Sequence, residues 1–431
     1  MKKPNIVMFL GDQLRSDAIG INGCRAAKTP NIDRLAKEGV SYRNAYCQNP
    51  VCVPSRCSFL TGMYPHTKGH RTMHYLLEED DKTILESLKE NGYAVYWLGR
   101  NDIYSSKKPE LIKRCCHEYF EGKRYVSFTE LEHHETIPRE EVMADPYYYS
   151  FYQGEISSQE AHGELDWLCI NRALEILDKI DDEQPFCLYI SLQFPHPPYR
   201  CEEPWFSSID RSFIEERRPD VETLKGKPSM LHGIREKQNL GSWTEAMYRE
   251  LKAVYYAMVS RLDSHFGMIV DKLKEKNLYD DTNIIFFSDH GDYTGDYGIV
   301  EKAQNTFENP VSNVPLIIKP SSGFPVLPRV SGVLAELVDL PATIAQMAGI
   351  RLNYVQFGKS LLHTLDREEE HKKAVFCEGG RVHGEDYAKE GGHNYLSEYW
   401  PRLCTPRANA WLDSSLLLIP PPRTTGIFFL N

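Results

Sequence analysis

The residues best suited to chemistry in this 431-residue sequence stand where an apolar run ends. Asp12 and Gln13 follow the run from Asn5 to Leu10, and Gly99-Arg100-Asn101-Asp102 follows Ala94 to Leu98. Phe194-Pro195-His196-Pro197-Pro198 follows Phe186 to Leu192, and Ser288-Asp289-His290-Gly291-Asp292 follows Asn283 to Phe287. Each tail is polar where its run is not. Carboxylates and an imidazole converging at one edge suit a hard divalent cation such as Ca²⁺, Mg²⁺ or Mn²⁺. An Asp after an apolar run is also a common helix N-cap, so any single position carries either reading. A sharper signal is the segment CVPSRCSFLTG, Cys52 to Gly62, which sets a cysteine just ahead of Pro54 and Arg56.

The elements that must hold these residues are legible around them. The apolar runs are short and rich in Val, Ile, Leu, Phe and Tyr, and they alternate with longer helical segments. That alternation predicts an α/β fold, a mostly parallel sheet with helices on both faces. Ligands of such sheets bind beyond the carboxyl ends of the strands, where the polar tails lie. Leu316 to Lys319 and Ala374 to Cys377 read as further strands. Thr29-Pro30 starts a helix that Gly39 closes, and Thr83 and Gly92 bracket another. From about Glu245 to Lys276 a stripe of Tyr256, Val259, Leu262, Phe266 and Ile269 at helical spacing predicts a long helix facing the core. Between Asp102 and Gly154 the periodicity weakens and polar residues gather, with the run ADPYYYSFYQG near its end; this reads as a surface insertion beside the site. The segment from Asp210 to Trp243 reads the same way. After about Ile350 the pattern changes to short, polar, Gly-rich pieces, which predicts a main domain over residues 1–350 and a smaller C-terminal subdomain over 351–431.

Composition narrows the function class. Hydrophobic residues are 41% and charged residues 26% of the chain, a globular balance. A formal charge of −11 argues against nucleic-acid or anionic-membrane partners, which are held by surplus Lys and Arg. The N-terminus carries no signal-peptide pattern and no stretch reaches the roughly 20 apolar residues of a membrane span, so the expected location is cytoplasmic. The 11 cysteines are odd in number and irregular in spacing, including adjacent Cys115 and Cys116, which is a poor disulfide framework.

The segment from Cys52 resembles the sulfatase signature Cys-x-Pro-x-Arg with its Leu-Thr-Gly ending, and the resemblance extends along most of the chain. PNIVMFLGDQ is similar to that family's first strand, TPNIDRLAKEGVSYRNAY to the helix before the nucleophile and TGMYPHTKGH to the segment after it. FPHPPY resembles the substrate-side His segment, SDHGDYTGDYGIVEK the second metal motif with its lysine, and LAELVDLPATIAQMAGI the helix closing the main domain. The resemblance implies an alkaline phosphatase-like fold and hydrolysis of a sulfate ester on a small molecule or saccharide. It also implies that a separate formylglycine-generating enzyme oxidises Cys52, the hydrated aldehyde being the nucleophile. A helix N-terminus and Arg56 both favour the anion forming there.

Carried over by position, the resemblance makes Asp12, Gln13, Asp289, His290 and modified Cys52 ligands of a divalent metal, Ca²⁺ before Mn²⁺ or Mg²⁺. Arg56 and Lys302 would hold the nucleophile and the sulfate oxygens, and His196 would face the leaving oxygen. Gln13 and His290 stand where many relatives have Asp and Asn, a pairing similar to the choline-sulfatase and phosphonate monoester hydrolase branches. Where the family has Gly-Lys-x-His, this chain has Gly99-Arg100-Asn101-Asp102. Arg100 replaces one cation by another of different geometry. Asp102 is either a base for the second step or a structural acid that neutralises Arg100. Two other functions stay open: a phosphonate or phosphate mono- or diesterase on the same scaffold, and a catalytically silent ligand-binding relative. His70, Arg71 and His74 are candidates for reading the substrate. The C-terminal end departs from the family, since three prolines at Pro420 to Pro422 forbid a regular central strand there; weak thermal stability or association through this region, including a homo-oligomer, is expected.

Overall fold

The computed structural model describes residues 3–122, 151–180, 183–380, 416–419 and 428–429. Most of the expected insertion between Asp102 and Gly154, and most of the chain after Gly380, lie outside them.

The strands are β1 (Asn5–Asp12), β2 (Val40–Tyr46), β3 (Ala94–Gly99), β4 (Glu118–Phe120), β5 (Tyr152–Ile156), β6 (Phe186–Pro195), β7 (Tyr199–Glu202), β8 (Thr282–Ser288), β9 (Leu316–Lys319) and β10 (Arg329–Glu336). Eight of them form one sheet in the order β10-β2-β9-β8-β1-β6-β3-β4, and β5 pairs with β7 beside it. β1 lies parallel to both β6 and β8 near the middle of the sheet. β9 runs antiparallel to its neighbours β2 and β8. That direction matters for the site. An antiparallel return from β8 to β9 keeps residues 289–315 at the edge where β8 ends, whereas a parallel crossover would carry the chain to the opposite end.

Side-chain alternation along β1 divides the core into two layers. Val7 and Phe9 join one cluster with Phe286, Phe266 and Leu262, under the long helix Glu245–Glu275. Ile6, Met8 and Leu10 join the other with Phe287, Phe59 and Leu340, under helices Cys52–Thr61 and Leu340–Met347. All of these side chains are buried, and each contributes roughly 1.5–3 kcal/mol on leaving water. The sheet is therefore clamped from both faces, which fixes its carboxyl edge.

The six predicted runs are strands, with small shifts at their ends. β1 runs on to Asp12, and the last predicted run appears as β11 (Val375–Glu378). β11 pairs antiparallel with β12 (Leu416–Ile419), which pairs antiparallel with β13 (Phe428–Phe429). The sequence reading did not anticipate this small antiparallel sheet; β12 stops one residue before Pro420, as three prolines require. None of the described helices is long and apolar enough to cross a membrane. The described cysteines form no disulfide.

Candidate active site at the carboxyl edge of the sheet

Asp12 is the last residue of β1, and Asp289 and His290 follow directly on β8, so two parallel neighbours deliver three ligand-type side chains to one edge. Across from them Cys52 is the first residue of helix Cys52–Thr61, capped by extended Val51 and closed by left-handed Gly62. Pro54 is tolerated there because a first-turn N–H has no helical partner to lose. Ser55 Oγ donates to the Asp289 backbone oxygen at 2.6 Å, tying the helix to the end of β8. The ligand-type atoms of Asp12, Cys52, Asp289 and His290, all four residues buried, lie within 4.8 Å of one another. Cys52 Sγ is 3.2 Å from His290 Nε2 and 3.7 Å from Asp12 Oδ1.

The donor set fits a divalent cation. His290 Nδ1 lies 2.9 Å from the Gly291 carbonyl; an N–H donated there leaves the Nε2 lone pair turned to the cluster. Asp289 Oδ1 accepts from the backbone N–H groups of Gln13 and His290 at 3.0 and 2.9 Å, and its Oδ2 accepts from Arg56 Nε at 2.9 Å. Asp12 Oδ2 accepts from Arg56 Nη2 at 2.8 Å, which leaves Oδ1 on the cysteine side. Without a cation, burial first and then the Asp12 carboxylate push the Cys52 thiol well up. As a thiol it is protonated and a poor nucleophile.

Arg56 stands one helical turn after Cys52 and so shares its face. Its guanidinium, 1% exposed, spans Asp12 and Asp289, with Nη1 donating to Ser191 Oγ at 2.7 Å and Nε lying 3.3 Å from Asp102 Oδ2. Gly99, at φ 111°, lets β3 lie close against β6, since a Cβ there would collide with the Ser191 carbonyl. Arg56 thus grips the carboxylates from behind. Arg100 reaches Asp12 Oδ2 at 3.3 Å and Asp102 Oδ1 at 3.4 Å. Burial opposes an ionised Asp102, yet Arg100 and Arg56 hold its carboxyl below the usual range. Asp102 thus lies against both arginines.

Lys302 arrives on the loop after β8. Its ammonium donates to Gln13 Oε1 at 2.8 Å, His196 Nε2 at 2.9 Å and Glu301 Oε1 at 2.8 Å. Burial alone disfavours its charge, but Glu301, Cys52 and Asp12 raise its pKa. His196 Nδ1 lies 2.6 Å from the Pro197 carbonyl, and burial first and Lys302 second keep the imidazole neutral. Gln13, at φ 67°, shares its amide between Lys302 and Asp292 Oδ2. Asp292 also accepts from Tyr199 OH at 2.7 Å, and burial pushes its pKa up to about 6. Tyr255 of the long helix donates to the Gln13 carbonyl at 2.8 Å, supporting the turn.

Sequence reasoning missed Ser191, Glu301 and the two tyrosines as parts of this network, whereas Asp292 stands in the polar tail that the sequence marks after β8. Their only sequence signal is nearness to a motif. The substrate candidates separate: the His70 side chain is 9% exposed, with Nδ1 2.9 Å from the Tyr75 carbonyl and Nε2 3.3 Å from Asp81, as a loop brace would be. The Arg71 backbone accepts from Gln304 Nε2 at 3.1 Å, which brings its segment against the Lys302 loop. His74 takes a backbone hydrogen bond from its N–H to Thr72 Oγ1.

The sequence profile of the sulfatase family matches residues 4–350. An arylsulfatase of Clostridium perfringens is 27% identical over 333 residues, 70% of this chain and 65% of its own length. A choline-sulfatase of Rhizobium meliloti is 27% identical over 372 residues, 82% of this chain and 69% of its own. The chain thus spans just under two thirds of the arylsulfatase it matches. The crystal structure of a phosphonate monoester hydrolase of Agrobacterium radiobacter superposes with a TM-score of 0.73 at 22% identity, covering 89% of this chain and 82% of that one.

Proposed function

The chain belongs to the sulfatase family, and from that premise we propose that it hydrolyses a sulfate ester of a small molecule or saccharide, with Cys52 converted to formylglycine as its nucleophile. The observation that carries the reading is the buried cluster of Asp12, Cys52, Asp289 and His290 at the sheet edge, with ligand-type atoms within 4.8 Å. The carboxylate and amide oxygens of this set suit Ca²⁺, which the family resemblance puts before Mn²⁺ or Mg²⁺, and the His290 nitrogen is the one donor that suits Mn²⁺ better. Such a cation, when bound, supplies Lewis acidity and charge to the reacting oxygens. The oxidised side chain supplies an aldehyde whose hydrate is an oxygen nucleophile where the buried thiol is none.

The remaining work falls to the chain's own residues. Arg56 fixes the faces of Asp12 and Asp289 so that one oxygen of each stays toward Cys52. Gln13 serves the cation through the amide oxygen it shares with Lys302. Lys302 and Arg100 face the tetrahedral group as fixed cations and stabilise charge that grows on its oxygens. His196, neutral and accepting from Lys302 at Nε2, sits where a proton can pass from the ammonium to the leaving alcohol. Asp102 is held by two arginines, so its role is to orient Arg100 and Arg56. The catalytic unit occupies residues 1–350, and 351–431 form a smaller C-terminal subdomain.

The test is a pair of initial rates, on an aryl sulfate and an aryl phosphonate, with calcium and with chelator. Sulfate turnover that exceeds phosphonate turnover and vanishes on chelation supports the reading. Faster phosphonate turnover assigns the same site to phosphonate esters, and no turnover of either by formylglycine-bearing protein overturns it.

A further inference from the structure

Each fixed cation of the site already touches a carboxylate among the described residues: Arg56 meets Asp12, Asp289 and Asp102, Arg100 meets Asp12 and Asp102, and Lys302 meets Glu301. The first two arginines lie against the ligand-type acids, but Glu301 is different. Among the described residues its carboxylate makes an ion pair with the Lys302 ammonium only, at 2.8 Å, both side chains being 10% exposed. Its backbone is left-handed, at φ 60°, held by Tyr199 OH accepting from the Glu301 N–H at 3.0 Å and by the Tyr293 N–H donating to its carbonyl at 3.1 Å. Glycine or asparagine adopts that conformation at less cost, so what glutamate adds at this position is its carboxylate.

We propose that Glu301 is a positioning residue that sets substrate charge: paired with Lys302, it fits the site to a tetrahedral ester bearing one negative charge and disfavours the dianion of a phosphate monoester. The inference rests on the ester-hydrolase reading above and adds the charge class of its substrate. The Lys302–Glu301 pair presents a dipole where an unpaired ammonium would present a full charge. A substrate oxygen at hydrogen-bond distance from Lys302, about 2.8 Å, lies within about 6 Å of the carboxylate. At an effective dielectric of about 20 one extra unit of charge at that range changes affinity by roughly ten- to a hundredfold. The penalty acts once on a sulfate or phosphonate monoester and twice on a phosphate monoester, whose second ionisation is complete above about pH 7.

The experiment titrates phenyl sulfate and phenyl phosphate at pH 8 into calcium-loaded full-length Cys52→Ala protein, which binds without turnover, and repeats both in Glu301→Gln and Glu301→Asp on that background. The expected result is a phosphate-to-sulfate affinity ratio at least about tenfold higher in Glu301→Gln and close to the parent in Glu301→Asp, which keeps the charge. A residue that only props the loop would move both ligands together. An unchanged ratio, or binding of neither ligand, overturns the proposal. If Glu301→Gln fails to fold, Glu301→Asn, which suits the left-handed backbone, gives the same readout. Turnover of phenyl sulfate and of an aryl phosphonate by the formylglycine-bearing unsubstituted protein is measured beside it: absence of both sinks the ester-hydrolase reading, and an unchanged ratio with turnover intact sinks only the role of Glu301.

Discussion

Replacing Arg56 by methionine keeps most of the side-chain volume and removes the charge that Asp12 and Asp289 share. The arginine is 1% exposed and both carboxylates 0%, so solvent does little to screen the loss. Removing one partner of a buried ion network costs about 3–5 kcal/mol, because the remaining charges stay buried without compensation. Unfolding entropy near 2.1 cal/mol/K per residue, taken over 431 residues, makes that a drop of about 3–6 °C in Tm. The same change has the opposite sign for a cation, since two carboxylates freed of a guanidinium repel each other and attract positive charge more strongly. Calcium should therefore restore part of the lost stability and raise the melting temperature of Arg56→Met by more than it raises that of the parent. The assay is thermal unfolding followed by circular dichroism, in chelator and in calcium. A variant that melts within about 1 °C of the parent in chelator, or that gains no more from calcium than the parent does, refutes the argument that Arg56 and the cation share these two acids.

Two other perturbations separate chemistry from stability. Lys302→Met should lower kcat on an aryl sulfate by about 10²–10³, the usual loss when one preorganised donor to developing charge is removed; initial rates check it. His265→Phe should protect the fold in acid. His265 is buried against Trp167 with ring centroids 4.5 Å apart, and neither ring nitrogen has a hydrogen-bond partner among the described residues. Burial first, then Arg261, holds its pKa well below 6.5. Below pH 6.5 the unfolded chain binds a proton that the folded chain refuses, so stability falls with pH at about 1.4 kcal/mol per unit. Between pH 7.5 and pH 5 the parent should lose about 2 kcal/mol more than the phenylalanine variant, read from the two melting temperatures.

Asp12, Cys52, Asp289 and His290 were legible because each stands where a regular element begins or ends, and such boundaries leave local marks. A polar tail after an apolar run, or a proline and an arginine after a cysteine, needs no knowledge of distant contacts. Glu301 and Ser191 lacked such marks. Ser191 takes its place from Arg56, which meets it across the fold, and Glu301 from a left-handed backbone that lays its carboxylate against the ammonium of the next residue, Lys302. β2 was missed because Arg43 and Asn44 break its apolar run, one on each face, and β10 because Ser331 and Gly332 fall at a register shift against β2. The antiparallel direction of β9 is not written in its four residues; it follows from the loop that keeps Lys302 at the site edge. The Tyr256-to-Ile269 stripe was correctly read as core, yet the adjacent Tyr255 on the same helix supports the Gln13 turn. Periodicity finds the face of a helix but not the one hydroxyl on it that reaches a site.

The central claim is that position 52 holds an aldehyde rather than a thiol when the protein works. Its most direct test is the mass of the peptide containing Cys52, taken from the protein made in a host that carries the converting enzyme and assayed for sulfate-ester turnover in the same preparation. The account requires a peptide lighter by one sulfur and two hydrogens and heavier by one oxygen, in a proportion that tracks turnover. Full turnover from protein whose Cys52 peptide carries the intact thiol would contradict it.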